Sequence, residues 1–178
     1  LATDESTVQA DAGGGAIALA LGTKGTTGSG AVGVSHSTNT VGTSDSDRHQ
    51  ILAYVAATSS LVADGSVSIT ANSAPKIDSL SIAGALTGAT GSGSKAVSLS
   101  GSGAASYNNI HVETKAYAGD DSPGASTGTG QITAETSVTI QATDQSKITA
   151  DTVGAAISGS YSKGTSVSVV IGISIAHN

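Results

Sequence analysis

Several residue types are missing or scarce in this 178-residue chain, and each absence narrows its chemistry. It has no cysteine, methionine, tryptophan or phenylalanine, and its aromatic residues are four tyrosines. Without cysteine there is no disulfide and no thiolate metal site. Without large rings, the apolar residues are alanine, valine, isoleucine and some leucine. Such residues predict a thin interior between closely spaced strands rather than a thick core.

Charge is scarce as well. Only 11% of the residues are charged, the net charge is −6, and Arg48 is the only arginine among seven basic residues. This balance offers no basic patch for nucleic acid or for an anionic membrane surface. No apolar run has the length of a membrane span. The chain begins at Leu1 and ends inside the alternating stretch "GISIAHN", so we expect it to be a piece of a longer protein.

What the chain does have is an internal repeat. The phrase "ATDESTVQAD" at 2–11 returns as "ANSAPKIDSL" at 71–80 and as "ATDQSKITAD" at 142–151. Each copy is followed by a Gly/Ala alternation, a Gly/Ser/Thr-rich break, and a second alternation that ends in asparagine. These regular landmarks predict tandem units of about 70 residues, at approximately 2–70, 71–141 and, in part, 142–178.

Each unit consists of short stretches with a period of two, rich in Val, Ile, Ser and Thr and separated by Gly, Asn or Asp, which is typical of β-strands. Three sandwich domains would need aromatic cores that the chain lacks. We therefore predict one continuous all-β solenoid over residues 1–178, a parallel right-handed β-helix with about three coils of roughly 23 residues per unit. The stretch "VSVVIGISI" at 167–175 is the strand that could be buried on both faces. The extra segments "GTSDSD" at 42–47 and "DDSPGAST" at 120–127 are predicted to be loops.

Three asparagines end the second alternation of the three units. Asparagine tolerates left-handed backbone angles and bonds to nearby backbone groups. We predict that these residues occupy equivalent structural turns: Asn39, Asn108 and Asn178.

The pattern "AVGVSxSxN…AYV…VADGSVSITA" resembles the β-strand repeat regions of very large bacterial surface proteins, such as the leukotoxin-type filamentous adhesins. The resemblance covers essentially the whole chain, although the second unit departs from it with "LSGSGAASYN". It implies an extended β-helical shaft that is secreted or displayed at the cell surface. The partners it implies are the neighbouring repeats and a host or environmental surface or glycan. It implies no catalytic residues.

Two glycine-rich stretches look like nucleotide-binding motifs. "GSGAVG" at 28–33 matches G-x-G-x-x-G, but that motif needs a preceding strand and a following helix N-terminus to hold a pyrophosphate. "GSGSKA" around Lys95 has neither the spacing of a phosphate-binding loop nor its Ser/Thr after the lysine. We interpret both as loop glycines and predict no cofactor.

The metal-binding residue types are dispersed. No two of the four histidines are spaced as ligands on one element: His36, His49, His111 and His177. Carboxylate pairs on loops can hold Ca²⁺, which leaves Asp45 with Asp47, and Asp120 with Asp121, as weak calcium candidates. The alternative is a solvated turn that uses aspartate for local hydrogen bonds.

Other functions of β-helices remain alternatives. A polysaccharide-modifying enzyme needs a base and a cationic groove, which one arginine and scattered lysines supply poorly. An ice-binding or surface-binding solenoid needs regular Thr-x-Thr columns, which are not seen. A polysaccharide-binding β-helix would use aromatic platforms, for which Tyr107 and Tyr161 are the candidates. The sequence favours a structural segment over an enzyme.

Overall fold

A computed structural model of the chain describes residues 1–57, 59–93, 95–119 and 131–178. These residues form strands joined by short turns, and no helix is found among them. The strands are β1 Ala2–Asp4, β2 Thr7–Gly22, β3 Thr26–Val41, β4 His49–Ala56, β5 Ser60–Ala63, β6 Val67–Ser73, β7 Lys76–Gly91, β8 Lys95–Ile110, β9 Val112–Gly119, β10 Gln131–Ala134, β11 Val138–Asp144, β12 Lys147–Ser162 and β13 Thr165–His177.

Corresponding strands of the three sequence units lie side by side in parallel sheets. The three-stranded sheets have the orders β1-β6-β11, β12-β7-β2 and β13-β8-β3, and the two-stranded sheets are β10-β5 and β4-β9. Ala2 pairs with Ala71, and Ala71 with Ala142. The predicted all-β architecture with parallel sheets is confirmed. The expectation of three short coils per unit was wrong, because each strand bonds to its counterpart in the next unit and not to a strand of its own unit.

The pairing of β4 with β9 shows that the first extra segment is an insertion between two strands. Gln50 pairs with Glu113 at a sequence separation of 63, whereas Ser98 pairs with Ser168 at a separation of 70. The backbone N–H of His111 donates to Val41, and the carbonyl of His111 accepts from His49. Residues 42–48 thus form a loop, because Val41 before them and His49 after them both bond to the same residue, His111. The second extra segment, 120–127, lies outside the described residues.

The repeated phrase marks a corner between two strands. In the first copy the Ser6 N–H donates to Asp4 Oδ1 at 3.1 Å, and in the third the Ser146 N–H donates to Asp144 Oδ1 at 2.9 Å. This local bond from aspartate to the backbone two residues on fixes a turn. The middle copy has Pro75 after β6 instead, and proline presets a turn through its fixed φ. The phrase recurs because the chain turns at the same place in every unit.

The chain also divides into two compact structural units, which differ from the three sequence repeats and are called below the first and the second unit. The first contains Leu1–Val8, Thr40–Ile77 and Asn109–Ile148. The second contains Gln9–Asn39, Asp78–Asn108 and Thr149–Asn178. The first has a small aliphatic core, in which the buried residues are Ile51, Ala53, Val67, Ile69 and Ala71.

In the second unit, the β2-β7-β12 and β3-β8-β13 sheets face each other across a layer of small residues. Side chains alternate between the two sides of a strand, and the buried side carries mainly Gly, Ala and Ser. Along β3, Ala31 and Ser35 are buried, whereas Val32 and Val34 are 67% and 71% exposed. The expected interior of Ala, Val and Ile is therefore corrected here, since valine points outward and serine inward.

Glycine is required where the facing backbones come closest. A Cβ at Gly14 would overlap the carbonyl oxygen of Val34, and a Cβ at Gly33 would overlap that of Gly84. The flanking Gly13 and Gly15 point to the other side, where a Cβ would meet nothing within 4 Å. The sheets approach so closely at Gly14 and Gly33 that no side chain fits between them.

Strand β13 differs from its predicted environment. All of its residues are exposed, including Val170 at 47% and Ile171 at 54%. Its only bonded neighbour in the β13-β8-β3 sheet is β8, so it is the edge strand of that sheet. The expectation that "VSVVIGISI" is buried on both faces was therefore wrong.

Candidate functional site

The three predicted turn asparagines form a ladder inside the second unit. The Asn39 side-chain amide donates to Asn108 Oδ1 at 2.8 Å, and that of Asn108 donates to Asn178 Oδ1 at 3.0 Å. Asn108 is fully buried. Asn39 and Asn108 lie within β3 and β8, and no described residue other than glycine has a positive φ. The turn role is therefore corrected for Asn39 and Asn108, which lie in strands; the three amides bond each repeat to the next.

A serine network adjoins this ladder. Ser37 Oγ lies 2.8 Å from Ser79 Oγ, 2.9 Å from Ser81 Oγ and 3.1 Å from Ser106 Oγ. Asn108 also donates to Ser106 Oγ at 3.0 Å. The hydroxyls join β3 and β8 to β7 on the opposite sheet. Buried hydroxyls that bond to each other satisfy polar groups that would otherwise destabilise a dry interior.

Aromatic rings form two columns across the strands. Tyr107 lies between His36 and His177, with ring centroids 5.4 and 5.8 Å away. In the first unit, Tyr54 stacks on Tyr117 with centroids 5.1 Å apart and planes 5° apart. The rings contact each other from rung to rung, as the asparagines do. The other proposed aromatic platform residue, Tyr161, is 70% exposed on β12.

The acidic loop 42–48 is held by bonds among its own residues and by His111. Asp45 Oδ1 lies 3.2 Å from His111 Nδ1 and 3.7 Å from an Arg48 guanidinium nitrogen. The Asp47 backbone carbonyl accepts from the Thr43 N–H at 3.0 Å. Within the described ranges, no group of three or more His, Cys, Asp or Glu residues could hold a metal ion. The second calcium candidate, Asp120 with Asp121, lies outside the described residues.

The "GSGAVG" stretch lies within strand β3 and not in a loop, so the loop interpretation of these glycines was wrong.

A groove of about 450 Å³ opens on the outer side of the β2-β7-β12 sheet. Its lining is aliphatic or glycine: Gly15, Ala16, Ile17, Gly84, Ala85, Leu86, Ala155 and Ile157. It presents no side chain that could act as an acid, a base or a nucleophile.

The geometry therefore centres on contacts between repeats. Asparagine amides, serine hydroxyls and aromatic rings contact residues of the next repeat. In the described part of the chain, no helix is long and apolar enough to cross a membrane. No protein-family model matches this chain, and comparison with curated proteins and with solved structures gives no significant match.

Proposed function

We propose that this chain is a structural repeat segment, the shaft or spacer of a large secreted or cell-surface bacterial protein of the adhesin type. Its proposed fold is a right-handed β-solenoid in which each sequence repeat makes one coil.

The observation that carries the proposal is the register between repeats. Val138 pairs with Val67 and Tyr117 with Tyr54, in each case a residue with its own counterpart in the next repeat. Asn39, Asn108 and Asn178 do the same with their side chains. A side chain that bonds to its own counterpart lets any number of repeats be added without a new kind of interface. Such an interface is what a spacer of variable length needs.

Adding one repeat tests this proposal. A chain with a further copy of residues 71–141 is expected to gain one strand in each sheet and about 4.8 Å along the stack. Its urea m-value should rise in proportion to the added surface, with a single cooperative transition. Small-angle scattering and urea denaturation measure these quantities.

Two results would contradict the proposal. The added repeat could unfold independently of the others, which would indicate separate domains. Alternatively, the chain could bind one glycan tightly and saturably, with binding abolished by Tyr107→Ala or Tyr161→Ala. That result would indicate a polysaccharide-binding module instead of a spacer.

A further inference from the structure

The outer side of the β3-β8-β13 sheet is an exposed aliphatic surface, here called the valine face. Residues that pair in parallel register point to the same side of a sheet, so exposed residues of the three strands share this face. Their exposed fractions range from 41% to 71%. The large residues of the valine face are Val32, Val34, Val97, Leu99, Val167, Val169, Ile171, Ile173 and Ile175.

The centre of the valine face carries no charge. Outward positions from Gly28 to Val34, from Val97 to Ala105 and from Val167 to Ile175 hold only glycine, alanine and aliphatic residues. The charged residues that give the protein its net charge of −6 all lie outside this central area. Contiguous exposed aliphatic surface usually marks a binding surface. A partner for this face must itself be flat, aliphatic and uncharged.

Four glycines on the valine face are not explained by packing within the unit. A Cβ at Gly28, Gly30, Gly101 or Gly103 would meet no atom closer than 3.7 Å, and none of the four has a positive φ. Glycine weakens a strand interior and often marks a bulge, a bend or a place where a ligand or another backbone approaches closely. This contrasts with Gly14 and Gly33, where the facing sheet leaves no room.

Large and small residues alternate on the valine face in a two-fold pattern. In β3, Gly28 and Gly30 precede Val32 and Val34; in β8, Val97 and Leu99 precede Gly101 and Gly103. Gly101 lies beside Val32 and Gly103 beside Val34. A Cβ added at these glycines would be 3.7 and 4.0 Å from the two valine side chains.

We propose that the valine face binds the same face of a second copy of this chain. A two-fold axis across the strands, between Gly30 and Val32, sets each valine of β3 against a glycine of β3 in the other copy. The same axis sets Leu99 against Gly101 and Val97 against Gly103. Self-complementarity of this kind is what an isologous dimer requires. Strand β13 has no glycine at its outward positions, and the same axis sets Val169 against Ile171 of the other copy. This strand lies at the edge of the contact and adds aliphatic area without interlocking.

The area of the valine face determines how strongly the two copies are expected to bind. The part of β3 from 26 to 39 spans about 45 Å, and three strands span about 14 Å, which gives a projected area of about 600 Å². Stable dimers bury about 800 Å² per partner. The chain should therefore dimerise weakly, and each further repeat should strengthen the dimer by adding about 200 Å². This inference concerns one face and does not depend on the proposed spacer role.

Sedimentation-equilibrium ultracentrifugation of the full chain tests the proposal, between about 1 and 100 μM, where a small interface associates. The unaltered chain should shift from monomer to dimer with concentration. Leu99→Asp should raise the dimer dissociation constant about 100-fold or more, because it places an unpaired charge in an aliphatic interface. Gly101→Leu should raise it about tenfold by filling the space for Leu99 of the other copy. Circular dichroism should show an unchanged fold in both variants.

Leu19→Asp is the matched control, since Leu19 is 74% exposed on β2, in the other sheet. It should leave the dimer unchanged. A chain that stays monomeric at the highest concentration overturns the proposal, as does a dimer that Leu19→Asp disrupts and Leu99→Asp does not. A monomer that floats with phosphatidylcholine vesicles, and fails to do so as Leu99→Asp, would overturn it by assigning the valine face to lipid instead. A failure in these assays leaves the added-repeat test unaffected.

Discussion

Replacing Gly14 with alanine is expected to destabilise the second unit by about 3 kcal/mol or more, because a Cβ at this position overlaps the backbone carbonyl of Val34. A backbone atom cannot rotate away as a side chain can, so the two sheets must separate. Separation also lengthens neighbouring bonds, such as the one from Ser35 Oγ to the Ala12 carbonyl, now 2.9 Å. Thermal and urea denaturation measure the loss.

Gly13→Ala is the matched control for Gly14→Ala. The two residues are adjacent, but a Cβ at Gly13 meets nothing within 4 Å. Gly13→Ala should leave the free energy of unfolding unchanged or raise it by up to about 1 kcal/mol through the unfolded state. Equal effects of the two substitutions would contradict the close approach of the sheets.

Replacing Asn108 with alanine is expected to cost about 2–4 kcal/mol. Asn108 is fully buried and makes three side-chain bonds: it accepts from Asn39 and donates to Ser106 and Asn178. Alanine removes these bonds and leaves the buried Asn39 amide without its partner, which alone costs about 1–3 kcal/mol. In a domain of this size the melting temperature should fall by about 5–15 °C.

Asn109→Ala is the control for the ladder. Asn109 is the next residue of β8, and it is exposed, so its substitution should change the free energy of unfolding by less than about 0.5 kcal/mol. If Asn108→Ala were as mild as Asn109→Ala, the amide ladder would not stabilise the fold.

Much of the architecture could be predicted from the sequence, because the pattern of strands repeats with the chain itself. The period of two identifies the strands, and the recurrence of "ATDESTVQAD" identifies a corner that Asp4 and Asp144 define. Pairing between repeats then follows, since equivalent strands have equivalent neighbours. The number of coils per repeat could not be predicted, because the alternation within a strand does not determine how many residues separate two strands that pair.

The orientation of the strands was also beyond sequence reasoning. In "AVGVSHSTN", Val32 and Val34 alternate with Gly33 and Ser35, and hydropathy favours valine in the interior. The structure reverses this, because the close approach at Gly33 leaves no room for branched side chains. The alternating serines that end in Asn39 were the available signal for a hydrogen-bonded interior. They are equally compatible with a solvated face, and for that reason the sequence alone does not distinguish an amide ladder from a turn.

The central claim is that one sequence repeat makes one coil, and engineered disulfides test it most directly because the chain has no cysteine of its own. Ser68 pairs with Thr139 in adjacent parallel strands, where Cα atoms about 4.8 Å apart suit a disulfide. Ser68→Cys with Thr139→Cys should oxidise readily to an intramolecular disulfide in the folded protein. Ile82→Cys with Ala105→Cys should not, because these residues of one repeat lie on facing sheets and not on neighbouring strands. Mass spectrometry of the native monomer detects each disulfide. A disulfide in the second pair and none in the first would contradict the account.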